Sequence, residues 1–254
     1  MTIEALLLSI AMAVAAGLTG CFAVMRRMAL AADPLSHVAL PGIGVALALH
    51  IHPVFGAVTM LFFGALLVWA VEDRTRATTE TVIGVVFSAA LAAGSLMTSG
   101  ENLIEALLGG GGAGALGWAE IMFGFAAAGA IISFLVSYRN SLIVMLVSSD
   151  VARTAGINVR RLNLFYLQMF ALTIALGLRY LGVLLMGALI IIPAATAKRL
   201  ARNLDGMLRL AVMLAVLATL LGSWMAVWLH RETGPMIVTV SAAIFFISLL
   251  RRPS

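Results

Sequence analysis

A chain of 254 residues with 63% hydrophobic and only 11% charged side chains cannot cover a soluble globule, for which about 25% charged is usual. With a mean hydropathy of +1.11, most of it belongs in lipid as an all-α, polytopic membrane protein. The single cysteine, Cys21, excludes a disulfide within the chain, and the net charge of +5 calls for a topological explanation before a nucleic-acid one.

Apolar runs cover residues 3–25, 30–50, 53–71, 81–99, 117–138, 163–178, 180–197, 209–229 and 236–250. Each is near the ~20 residues a crossing helix needs, and several are short enough to be tilted or broken, so about eight or nine spans are expected. The first run is expected to be a span rather than a cleaved signal, because Met1 to Ser9 lacks a positive n-region. Cys21 lies inside that run and is expected to be a buried packing residue. If the N-terminus is outside, the inner segments are 26–29, 72–80, 139–162, 198–209 and 251–254. These carry 14 of the 16 Lys and Arg, leaving only Arg179 and Arg231 on the outer side. The positive-inside rule therefore predicts N-terminus out and C-terminus in. The basic balance is a topology signal, so lipid is an expected partner and nucleic acid is not.

The whole of 1–254 is expected to form one transmembrane domain. Its longest inner segment runs from Arg139 to Leu162. Ser149 or Asp150 can cap a short helix there and Gly156 can end it as the residue after the C-cap, which predicts about two turns at the inner face. A solvated loop is the alternative. On the outer side, Leu107 to Gly117 is rich in glycine, with Glu101 and Glu105 before it, and is expected to be a mobile linker. Pro193 predicts a kink or a break in its span, and Gly182, Gly187 and Ala188 allow close helix approach.

The only lysine is Lys198, in Thr196-Ala197-Lys198-Arg199, so no Walker A loop exists and the chain cannot hydrolyse ATP by that route. Neither His-Glu-x-x-His nor Gly-x-Ser-x-Gly occurs, which leaves metalloprotease and serine hydrolase readings without support.

One constellation stands out, in Asp33-Pro34-Leu35-Ser36-His37. A carboxylate and an imidazole four residues apart share a helical face, and borderline divalent metals accept both as ligands. An ionisable pair at membrane depth suggests a pathway for an ion or substrate. The competing reading makes Asp33 the N-cap and Pro34 the first helical residue, with His37 bonded to a neighbouring helix. One chain offers two side-chain ligands where a closed tetrahedral site needs four. A twofold dimer would supply two Asp and two His.

The remaining ionisable residues lie at span ends. His50 and His52, before Pro53, can attract a cation at an outer entrance or form an ordinary turn. His230 is expected in solvent, Glu80 at a helix N-terminus, and Arg179 at a tight outer turn.

Four stretches, in register from about residue 20 to 205, resemble the permease subunits of the bacterial metal ABC transporter family, often called ABC-3, which import zinc, manganese or iron. They are Arg26-Arg27-Met28 with Asp33 through Gly42, Thr79 through Ser88, Asp150 through Asn163, and Leu181 through Ala197. The resemblance implies a homodimeric permease in the bacterial inner membrane. It also implies two separate ATP-binding subunits, an extracytoplasmic metal-binding solute-binding protein and a transported divalent ion, with no permanently bound cofactor. It implies that Asp33 and His37 line the metal site, and that Asp150, Ala152, Arg153 and Gly156 belong to a helix docking on the ATPase. The stretch 109–117 is richer in glycine than the family pattern. A self-sufficient proton-coupled metal transporter is the alternative. It would call for further ionisable groups inside the spans and an internal repeat, neither of which is evident.

Overall fold

In the computed structural model, residues 3–51, 53–75, 77–97, 117–180 and 183–250 are described, and every regular element among them is helical. The chain begins with α1 (Ile3–Met25), a 3-10 turn (Ala29–Ala31), α2 (Ala32–His37) and α3 (Ala39–Ala48). There follow α4 (Pro53–Arg74), α5 (Thr79–Met97), α6 (Trp118–Ser137), α7 (Arg139–Val147) and α8 (Ser149–Thr154). The last four are α9 (Val159–Tyr180), α10 (Val183–Leu200), α11 (Leu204–Leu229) and α12 (Thr233–Leu249). Among the described residues seven helical stretches are long and apolar enough to cross a membrane, with Ala29–Ala48 counted as one. The 18-residue α10 and the shorter apolar α12 complete the expected passes.

The pass order is visible in what meets at one end of the bundle. Arg26 pairs with Glu72 at 3.5 Å, Arg160 with Asp73 at 3.0 Å, and Arg139 with Asp205 at 3.0 Å. All six lie at helix ends expected on the inner side, so the alternation of passes closes on itself. At the opposite end the Tyr180 hydroxyl donates to the Glu120 carbonyl oxygen.

Helix α1 runs through the interior against α6, α9, α10 and α11, burying Leu8, Met12, Ala16, Thr19 and Phe22. Small residues there allow backbones to approach, which replaces hydrophobic drive as the cement between helices in lipid. Thr19 gives its hydroxyl to the Ala15 carbonyl at 2.7 Å and meets Thr173 of α9 at 3.3 Å, so its polar atom is satisfied in the core. Cys21 is buried as expected.

The broken span is not where Pro193 suggested. Helix α10 continues through Pro193 without interruption. The break falls at Val38, between α2 and α3, inside the second pass. Pro34 and Pro41 each lie third in a short helix, where a backbone N–H has no intrahelical acceptor and its absence costs no bond. Two prolines at that spacing divide one pass into two helices. Helix α3 is then held on α4 by a reciprocal close approach: a Cβ at Gly42 would collide with the Gly56 carbonyl oxygen, and one at Gly56 with that of Gly42.

Candidate functional site

Helix α2 holds Asp33 and His37, and it lies against α4, α5, α9 and α10. Ala31, Ala32, Leu35, Ser36 and Val38 are all at most 3% exposed, whereas Asp33 is exposed and His37 half-buried. The two chemistry-bearing residues thus occupy the one open face of an otherwise buried element. The Ser36 hydroxyl donates to the Asp33 carbonyl oxygen at 2.6 Å, tying the turn together from inside. Gly187 of α10 faces the Asp33 backbone, where an added Cβ would lie 3.9 Å from its nitrogen, in ordinary contact.

The capping reading of Asp33 is not realised. Helix α2 begins at Ala32, its N-cap is Ala31 in helical conformation, and no side chain caps it. The 3-10 turn leads directly into α2, so the chain has no extended residue from which a cap could reach back. Among the described residues no hydrogen bond or ion pair takes up the Asp33 carboxylate. His37 stacks obliquely on Phe87 of α5, with ring centroids 5.7 Å apart at 48°. Its Nδ1 is buried and has no hydrogen-bond partner among the described residues. The neutral imidazole has one nitrogen donor and one acceptor, so a group with an unused ring nitrogen retains capacity for a ligand. No cluster of three or more His, Cys, Asp or Glu able to hold a metal occurs among the described residues. Asp33 and His37 share the six-residue helix α2.

His50 has a structural job. It takes φ 54° just past α3, with its N–H on the Leu47 carbonyl at 3.1 Å and the next N–H on the Ala46 carbonyl at 2.9 Å. That is the Schellman pattern that satisfies the last carbonyls of a helix. Arg27 and His230 end α1 and α11 in the same way, with φ 60° and 50°. His52 lies outside the described residues, as do Glu101, Glu105 and residues 98–116. Glu80 is in the first turn of α5, where the helix dipole favours a carboxylate.

The expected short inner helix exists as α8, but its N-cap is Ser148, one residue before Ser149 and two before Asp150. Ser148 has the extended backbone a cap needs, φ −159° and ψ 122°, and its hydroxyl accepts from the Val151 N–H at 3.3 Å. Gly156 ends the helix at φ 78°, with the Gly156 and Ile157 N–H groups on the carbonyls of Arg153 and Ala152. Ala152 is fully buried and anchors α8 to the bundle, while Asp150, Val151 and Arg153 face outward. Asp150 and Arg153 approach to 3.8 Å.

Sequence reading missed a polar cluster at the foot of the bundle. Glu72 accepts from Thr79 Oγ1 at 2.7 Å, Asn163 Nδ2 at 3.1 Å and Arg26 Nη2 at 3.5 Å. A carboxylate two residues before the end of an apolar helix was the available signal.

Residues 1–252 match the ABC 3 transport family. The chain belongs to that family. It is 30% identical over 255 residues to the high-affinity zinc uptake system membrane protein ZnuB of Haemophilus influenzae, covering 98% of this chain and 96% of that one. It is 29% identical over 254 residues to the manganese transport system membrane protein MntC of Listeria innocua, covering 98% and 90%. Among solved structures, PsaBC from Streptococcus pneumoniae in complex with Fab superposes with a TM-score of 0.80 at 25% identity, over 98% of this chain and 91% of that one. The fold is that of an ABC 3 family permease, and the chain is a multi-pass membrane protein.

Proposed function

We propose that this chain is the permease subunit of an ATP-driven importer of divalent metal ions in the bacterial inner membrane, with its N-terminus outside. Two copies line the translocation pathway, two separate ATP-binding subunits hydrolyse ATP, and an extracytoplasmic binding protein delivers the ion. Asp33 and His37 of each copy hold the ion in passage. Asp150, Ala152, Arg153 and Gly156 form and flank the helix that docks on the ATPase.

The observation that carries this reading is the open face of α2. A carboxylate facing lipid is expensive, about 2.5–3.5 kcal/mol at a helix centre on insertion scales. A chain that buries Ala31, Ala32, Leu35 and Ser36 yet leaves Asp33 itself open fits a pathway or a second copy on that side. Carboxylate and imidazole ligands bind borderline metals without the grip of thiolates, which suits a site that has to release its cargo. Ligation needs neutral imidazole, so acidification weakens metal binding.

The test is uptake of zinc and manganese by the purified complex, ATPase included, in liposomes. Asp33→Asn and His37→Ala are expected to lower uptake about 100-fold in complexes that still assemble, with each lost ligand or charge removing a few kcal/mol from the bound ion. Near-normal uptake by both variants in an assembled complex would overturn the metal role. Competition among zinc, manganese and iron in the same liposomes identifies the cargo.

A further inference from the structure

We infer that Glu72 is a positioning residue that carries displacement of α8 to the Asp33/His37 segment. This inference rests on the transport reading above.

Three elements meet on this one carboxylate, which is 21% exposed. Oε1 accepts from Thr79, the first residue of α5, and from Arg26 just past α1; Oε2 accepts from Asn163 near the start of α9. Each donor leads somewhere. Helix α9 follows α8 after a four-residue connection, so movement of α8 is passed along the chain to Asn163. Helix α5 carries Phe87, the ring against His37. Arg26 begins the connection to the 3-10 turn and α2. Arg26 is also placed over the Tyr166 ring of α9, 4.9 Å from its centroid. The ends of α4 and α9 are further clamped by Arg160, which pairs with Asp73 and covers Trp69, whose indole N–H donates to the Arg160 carbonyl at 3.0 Å. Helix α4 and the foot of α9 therefore move as one piece, and Glu72 joins that piece to the metal segment.

The second observation is a cavity of about 380 Å³ between this cluster and α8, lined in part by Arg26, Glu72, Asn163 and Ser149. The cleft opens to solvent beside the root of a surface helix, which gives that helix room to move. Arg26 Nη1 and Asn163 Oδ1 are buried there without hydrogen-bond partners among the described residues. One is a donor and the other an acceptor, and both are adjacent to bonds the same side chains already make to Glu72. Such a cluster has an alternative set of partners available, which is the physical requirement for a two-state element.

The experiment measures metal moved per ATP hydrolysed by the reconstituted complex, using zinc and a fluorescent indicator inside the vesicles. Glu72→Ala is expected to lower that ratio about tenfold while hydrolysis stays within twofold of the unsubstituted complex. Glu72→Gln is expected to recover at least half the ratio, because the Asn163 amide can turn over and accept from the new NH2 group with its unused oxygen. Should Glu72→Ala fail to assemble, Asn163→Ala cuts the α9 connection alone and is expected to lower the ratio about threefold. An unchanged ratio in an assembled variant, or transport and hydrolysis falling in proportion, overturns the inference. Failure of the transport reading looks different: the unsubstituted complex would hydrolyse ATP and move no zinc or manganese.

Discussion

Two helices of six residues, α2 and α8, carry the two halves of the proposed mechanism, and they are held in opposite ways. Neither would persist alone, since isolated helices shorter than about 12–15 residues are marginal in water. Helix α8 is stabilised by its own termini: Ser148 caps one end, Gly156 closes the other, and a single side chain, Ala152, is buried. Helix α2 has no capping side chain and is gripped instead by α4, α5, α9 and α10. The segment proposed to meet a partner is specified locally. The segment that aims Asp33 and His37 is specified by residues far away in sequence, so its geometry depends on how four helices are disposed.

If that contrast is right, the most damaging substitutions for α2 lie outside it. Gly42→Ala drives a methyl group into the Gly56 carbonyl, which belongs to backbone and cannot rotate away. Overpacking of this kind is expected to cost about 2–3 kcal/mol, read as a lowered melting temperature of the purified protein, and to weaken the proposed metal binding at Asp33/His37 as α3 shifts. Gly84→Ala is the matched control, because a Cβ there meets nothing within 4 Å. It is expected to be neutral or to stabilise α5 by up to about 1 kcal/mol. Equal destabilisation by both would mean that α2 is not held by the α3–α4 contact.

Substitutions in the frame of α8 should be smaller and local. Gly156→Ala meets no atom within 4 Å but forces an L residue to φ 78°, at about 1–2 kcal/mol. Ser148→Ala removes the cap at about 1 kcal/mol. Both are expected to speed amide hydrogen exchange across 149–155 and to leave the melting of the bundle unchanged. A matching loss of global stability would place α8 in the same cooperative unit as the spans.

The sequence made one of these helices readable and hid the other. The spans follow from hydropathy because each residue reports its own transfer energy, and their limits came within a few residues. Helix α8 was legible because caps and a positive-φ glycine act over four residues; the N-cap was misplaced by one or two residues because Ser148, Ser149 and Asp150 are all competent there. That Asp33 and His37 share one short helix and its open side was legible from their spacing. The division of their span at Val38 was not, although Pro34 and Pro41 mark it once each is seen in a first turn. The partners of Glu72 were out of reach, since Asn163 and Arg26 are 91 and 46 residues away and no local rule joins them to it.

The smallest expected change in stability belongs to the ion pair on α8. Asp150 and Arg153 are 88% and 70% exposed at 3.8 Å, a geometry that water and salt screen almost entirely. Asp150→Asn and Arg153→Gln should therefore leave the melting temperature unchanged. Both side chains face away from the bundle, on the same outward surface as Val151. If that surface docks on an ATPase, the same substitutions should weaken assembly with that subunit about tenfold and reduce the salt dependence of the association. Unchanged assembly with unchanged melting would assign the contact to Val151 and the backbone around Gly156, and the two charges would then be incidental to the solvated face of a capped helix.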